Sequence, residues 1–134
     1  MARKLNPALQ TLKGRVGAIA TLIDELKGEN IVAMDLRGLS DFADAFVIAT
    51  TRSQTHMQSL VGNVVERMRE QGLRPLLKPD LQGIRWMLID YADVIVHLFD
   101  ADGRAYYDLE GLWGDARPIA WEAKDKLQII NYKP

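Results

Sequence analysis

The stretch WMLIDYADVIVHLFDADGRAYYDLEGLWGD (86–115) holds two of the three tryptophans and three of the four tyrosines of a 134-residue chain. Its first half reads as a β-hairpin: apolar and β-branched runs at 84–91 and 94–99, joined by a two-residue turn at Ala92 and Asp93. With that turn, Tyr91 faces Val94, Asp90 faces Ile95 and Trp86 faces Phe99. Side chains alternate along a strand and opposed residues share a face. One face then carries Met87, Ile89, Tyr91, Val94, Val96 and Leu98, which is a core face. The other carries Trp86, Leu88, Asp90, Ile95, His97 and Phe99. Aromatics mixed with a carboxylate and an imidazole suit a recognition surface. They equally suit a second core under covering helices, with His97 hydrogen-bonded inside, and the hairpin alone leaves both open.

Working outward, Leu9, Leu12, Val16, Ile19, Ile23 and Leu26 recur at spacings of three and four, predicting an amphipathic helix over 8–27. Pro7 fits its first turn and Gly28 its C-terminal cap. Residues 31–36 read as a short strand, and the unbroken apolar run 45–51 as a central strand covered on both sides. Ser53 is placed to cap a second helix whose buried stripe is Met57, Leu60, Val61, Val64, Val65 and Met68, ending at Gln71–Gly72. LRPLLKP (73–79) is a candidate strand, confined to an edge by its two prolines. Residues 101–110 read as helical, and the tail with Pro118 and Trp121 shows no deciding pattern. Helices and strands in alternation predict one α/β domain, a mixed sheet flanked by helices.

Composition narrows function. No cysteine is present, which excludes disulfides, thiolate nucleophiles and Cys-based zinc sites and fits a reducing cytosol. No apolar run approaches the ~18 residues of a membrane span. No uncharged apolar segment follows the basic start, so a secretory signal is not expected, and the expected location is cytoplasmic. Charge is uneven: 11 Lys/Arg against 8 Asp/Glu over 1–79, 2 against 8 over 80–116, and 4 against 2 over 117–134. An acidic, aromatic middle block repels nucleic acid phosphates and suits a basic protein, unless its aspartates are simply solvated turn residues.

Enzyme chemistry finds little support. Asp90 and Asp93 lie three apart across a turn and point differently, so they do not converge on one metal ion. His56 and His97 are the only histidines, and neither has a third ligand at metal spacing. TTRSQTH (50–56) could offer a phosphate a helix N-terminus but lacks the glycines of a P-loop or dinucleotide fingerprint. Ser53 has no recognisable base. No catalytic residue, metal or cofactor is expected.

The succession DAFVIATTRSQTH (44–56), Trp86 with IDYADVIVHLF (89–99), and RAYYDLEGLW (104–113) followed by Asp115 and Ala116 closely resembles the ribosomal silencing factor family, also called Iojap, over residues 8–116. The resemblance implies a nucleotidyltransferase-like α/β fold without the catalytic Gly-Ser and Asp-x-Asp residues. It implies binding to the free large ribosomal subunit through large-subunit ribosomal protein fourteen, a block on small-subunit joining, and homodimer formation. An assembly role for the same subunit is the first alternative and a nucleotide-binding enzyme the second. By position, Trp86, Asp90, Asp93 and His97 match the family's tryptophan and "D..DVIVH" segment, and Tyr107, Leu109, Glu110 and Trp113 its "FY.LE.LW" segment. Trp86 and Leu88 are then expected as apolar anchors, with Asp90, Asp93 and Glu110 facing basic residues of the partner. His97, Tyr107 and Trp113 complete the candidate set, although Tyr107, Leu109 and Trp113 are equally spaced to pack on the sheet.

Two departures touch the site. Thr50-Thr51-Arg52-Ser53 stands where the family reads Thr-Gly-x-Ser, and Ala92 stands where it has glycine, at a turn that often needs positive φ. Residues 1–116 are thus read as the domain and 117–134 as a C-terminal extension.

Overall fold

Thr11 decides where the first helix starts. The computed structural model, which describes residues 4–121, holds Thr11 extended with its Oγ1 accepting from the Gly14 N–H at 2.9 Å. That N-cap opens α1, Leu12–Glu25. The helix is therefore shorter than the apolar spacing predicts. Pro7–Leu9 form a separate 3-10 turn folded back on α1, with Arg15 donating to the Leu9 carbonyl at 2.8 Å. Gly14 permits this approach, because a Cβ there would sit 1.9 Å from the Ala8 carbonyl oxygen. At the other end the left-handed residue is Lys27 (φ 73°) rather than Gly28. Gly28 N–H bonds the Ile23 carbonyl and Lys27 N–H that of Asp24, a complete Schellman cap.

The sheet comprises β1 (Glu29–Asp35), β2 (Ala45–Thr50), β3 (Trp86–Asp90), β4 (Val94–Phe99) and β5 (Arg117–Pro118), in the order β3-β4-β2-β1-β5. Only β2 and β4 run parallel, so the sheet is mixed as expected. The hairpin register is the expected one, from Trp86 opposite Phe99 to Asp90 opposite Ile95. Helix α2 (Gln54–Glu70) crosses between β2 and β3, capped by Ser53 and ended by Gly72 at φ 88°. Residues 73–79 form no strand. Prolines 75 and 79 have no N–H to donate, and a lone bond from Leu76 N–H to the Asp90 carbonyl ties the segment to β3. The predicted helix over 101–110 is two, α3 (Ala101–Tyr107) and α4 (Leu109–Leu112), broken at Asp108 (φ 45°). The sheet continues past residue 116, since β5 pairs with β1 and Trp121 Nε1–H donates to the Ile31 carbonyl.

Two cores follow. Between the sheet and helices α1 and α2 lie Val16, Ile19, Ile23, Val47, Met57, Leu60 and Val64 with the hairpin's Met87, Ile89, Val96 and Leu98. Behind the sheet, a smaller cluster of Leu36, Phe46, Ile48, Ile95, Phe99 and Leu109 packs under the 36–44 loop and α3–α4. Strands β2 and β4 are buried on both faces, which is why they read as unbroken apolar runs.

Candidate functional site

The second core does not close. Its aromatic rings form a continuous ridge across the sheet and emerge at both ends. Tyr106 meets Tyr107 (centroids 5.0 Å), Tyr107 meets Trp86 (4.7 Å), and Trp86 packs on Phe99 (5.1 Å) and His97 (5.7 Å). His97 stands edge-on to Phe46 (4.3 Å), and Phe46 meets Trp113 (6.0 Å), which Phe42 flanks (6.1 Å). The termini are open: Tyr106 is 80% exposed and Phe42 61%. On the hairpin edge Leu88 is 43% exposed, two residues from Trp86 and on the same face. Gln82, Ile84, Arg85, Trp86 and Tyr107 line a shallow hollow of about 490 Å³ there.

The polar residues of the candidate set divide sharply. Trp86 is half-buried and its Nε1–H donates to His97 Nδ1 at 3.1 Å. His97 is only 5% exposed, so it lies beneath the face rather than on it. Burial lowers its pKa to about 4, and the ring is neutral at pH 7. Asp93 is taken by Arg15, whose guanidinium ion-pairs with its carboxylate, while its carbonyl accepts from Asp44 and Ala45 N–H. Glu110 is held by Arg104 through two hydrogen bonds of 3.1 and 2.9 Å. The expectation that Asp93 and Glu110 stand free for a partner's cations therefore meets two internal ion pairs. Asp90 differs: one carboxylate oxygen accepts from Ala92 N–H, and no Lys or Arg among the described residues pairs with it. Leu109 is core, whereas Tyr107 and Trp113 are half in the ridge and half at the surface.

The turn aims these groups. Ala92 holds φ 76° while Asp93 N–H bonds back to the Tyr91 carbonyl at 3.0 Å, a γ-turn with positive φ at its centre. Such backbone costs an alanine about 1 to 2 kcal/mol, and the Asp93–Arg15 pair and the Asp90 side chain restrain it from either flank. Asp90 and Asp93 thus diverge, one to the turn backbone and one to α1. Among the described residues no group of three His, Cys, Asp or Glu side chains could hold one metal ion. At the α2 N-terminus, Ser53 Oγ accepts from His56 N–H and the His56 ring binds Arg52 N–H and the Leu26 carbonyl.

Sequence reasoning missed Phe42, Phe46 and Tyr106. Phe46 faces Ile95 across parallel strands, a long-range pairing that no local pattern announces. Phe42 and Tyr106 sit in a loop and a short helix, where only exposure of an aromatic ring marks them.

The site lies in an α/β domain with a mixed sheet, one face covered by helices and the other carrying an open aromatic ridge. The chain belongs to the family described as "Ribosomal silencing factor during starvation", whose model matches residues 9–132. It is 39% identical over 100 residues to the ribosomal silencing factor RsfS of Halalkalibacterium halodurans, covering 75% of this chain and 86% of that one. The ribosomal silencing factor RsfS of Bacillus subtilis is 38% identical over 101 residues, with 75% and 85% covered. A crystal structure of a Chromobacterium violaceum protein superposes with a TM-score of 0.71 at 27% identity, covering 78% of this chain and 88% of that one.

Proposed function

We propose that this chain, a member of a family of ribosome-associated translation regulators, binds the large ribosomal subunit through its aromatic ridge and blocks joining of the small subunit by steric occlusion. The partner is large-subunit ribosomal protein fourteen, reached in the cytoplasm, with no catalysis and no cofactor. The observation that carries the reading is the ridge itself: stacked rings held by the sheet, with Leu88, Tyr106 and Phe42 open to solvent. Rigid, half-buried aromatics make strong interface anchors because little side-chain entropy remains to be lost. Asp90 at the hairpin tip supplies a carboxylate for a basic partner, tuning association rate more than strength.

The test is sedimentation of purified large and small subunits with and without this protein. Co-migration with the large subunit and loss of joined ribosomes is the expected result. Co-migration with joining intact would move the reading to an assembly role, and no co-migration would end it. Trp86→Ala should weaken large-subunit binding more than tenfold, since a tryptophan anchor contributes ~2 kcal/mol or more. The variant should stay folded, because Trp86 borders the second core rather than filling it.

A further inference from the structure

His97 sits on the central strand β4 between two aromatic neighbours, edge-on to Phe46 at 4.3 Å and parallel to Phe99 with 9° between the rings. An indole N–H only donates, so the 3.1 Å contact from Trp86 Nε1 makes His97 Nδ1 the acceptor. The proton of the neutral ring is then on Nε2. That nitrogen is buried and has no hydrogen-bond partner among the described residues. A buried donor without a partner destabilises a fold, and an apolar residue of similar size would carry no such penalty. Packing alone therefore does not ask for histidine here. What histidine supplies is one acceptor, set in a buried strand paired on both edges, under the tryptophan of the hairpin edge.

We propose that His97 is a positioning residue, whose Nδ1 holds the Trp86 indole so that its apolar edge, not its N–H, faces the partner. The inference rests on the aromatic ridge being the binding face. It assigns His97 a role beneath that face instead of a direct contact. Without the acceptor, the half-exposed indole satisfies its N–H only by turning it toward water. The stack on Phe99 at 5.1 Å and Tyr107 at 4.7 Å then loses its single orientation. The partner would have to bind a tryptophan sampling several rotamers and to strip water from its N–H.

The experiment uses the full chain and compares His97→Leu, which has no acceptor, with His97→Asn, whose amide oxygen falls close to the place of Nδ1. The first readout is the indole N–H resonance of Trp86 in the free protein, assigned with Trp86→Phe, and its exchange with water. The second is affinity for purified large subunits, and the third is the thermal midpoint. In His97→Leu the resonance should shift and exchange faster, affinity should fall about tenfold, and the midpoint should hold or rise. His97→Asn should keep affinity within about threefold of wild type. Should His97→Leu fail to fold, His97→Phe, which fills the place of the ring, carries the same comparison. An unmoved resonance without the acceptor, or equal affinity in both variants, overturns the proposal. If Trp86→Phe binds as tightly as wild type while the resonance still responds to His97, the bond is real. The reading of the face is then what fails, and the positioning role falls with it.

Discussion

Lowering the pH from 7 to 5 places a proton on nearly every unfolded copy of His97 and on few folded ones. The unfolded imidazole titrates near 6.5, and burial between Phe46 and Phe99 lowers the folded value to about 4. Between those values the unfolded state binds more protons, so stability falls as pH falls. It is fully present above 6.5 and progressively lost toward 4. A gap of that size corresponds to about 3 kcal/mol once both states are protonated, and about 2 kcal/mol of it is spent by pH 5. For a domain of ordinary stability, 5–15 kcal/mol, that is a large fraction. Urea unfolding at pH 7, 6 and 5 measures it, with His97→Leu as the reference because leucine does not titrate. Carboxylates such as Asp35, whose pKa Arg37 lowers to about 2 through a hydrogen bond, act alike in both proteins and cancel. Wild type should lose about 2 kcal/mol more than His97→Leu between pH 7 and 5. Equal losses would mean that the folded imidazole takes up protons as easily as the unfolded one. His97 would then not be enclosed as described.

Ala92→Gly should raise stability by roughly 0.5 to 1 kcal/mol, because glycine adopts φ 76° without strain but adds entropy to the unfolded chain; chemical denaturation decides the sign. Asp93→Asn should lower stability by about 2 kcal/mol by leaving the largely buried Arg15 guanidinium without its counter-charge, yet change large-subunit affinity less than threefold in a binding titration. Arg104→Met should cost about 2 kcal/mol, since Arg104 ties Glu110 to the Asn30 carbonyl and Thr50 Oγ1; proteolysis should then find the 101–113 segment first.

Short-range patterns carried most of the fold into the sequence. Alternation placed Met87, Ile89 and Leu98 in one core, and the turn at Ala92–Asp93 set the register through Trp86 opposite Phe99. What misled were local signals outweighed by single contacts. Pro7 looked like the start of α1, but Thr11 takes the cap and turns the proline into a separate 3-10 piece. Residues 73–79 are apolar enough for a strand, yet their prolines remove the donors a ladder needs. In the candidate site, residue types were legible and their directions were not. Nothing local shows that Asp93 meets Arg15 from α1, 78 positions away, whereas the hairpin register already put His97 and Trp86 on one face and left open only that the histidine lies inside. The Arg15 contact belongs to the packing of helix on sheet, and contacts of that kind sort the charged candidates into struts and surface.

The sorting has a physical logic. A surface that binds through stacked rings must keep them rigid, and it must not expose donors that a partner would have to desolvate without replacing. Here the polar atoms among and beside the rings are largely engaged inward: the Trp86 N–H on His97, Asp93 on Arg15, Glu110 on Arg104. The Arg104–Glu110 pair braces α4 against β1 and β2, and the Arg15–Asp93 pair braces the hairpin turn against α1. The helical segment that carries Tyr107 and Trp113 and the hairpin that carries Trp86 are thus each tied to the body of the domain. Under the proposed reading, rings so mounted meet a partner with little reordering, while Asp90, unpaired with any cation among the described residues, acts at longer range. On this view strength resides in Trp86 and its neighbours, and approach in the carboxylate. Raised salt should accordingly slow association while leaving dissociation nearly unchanged.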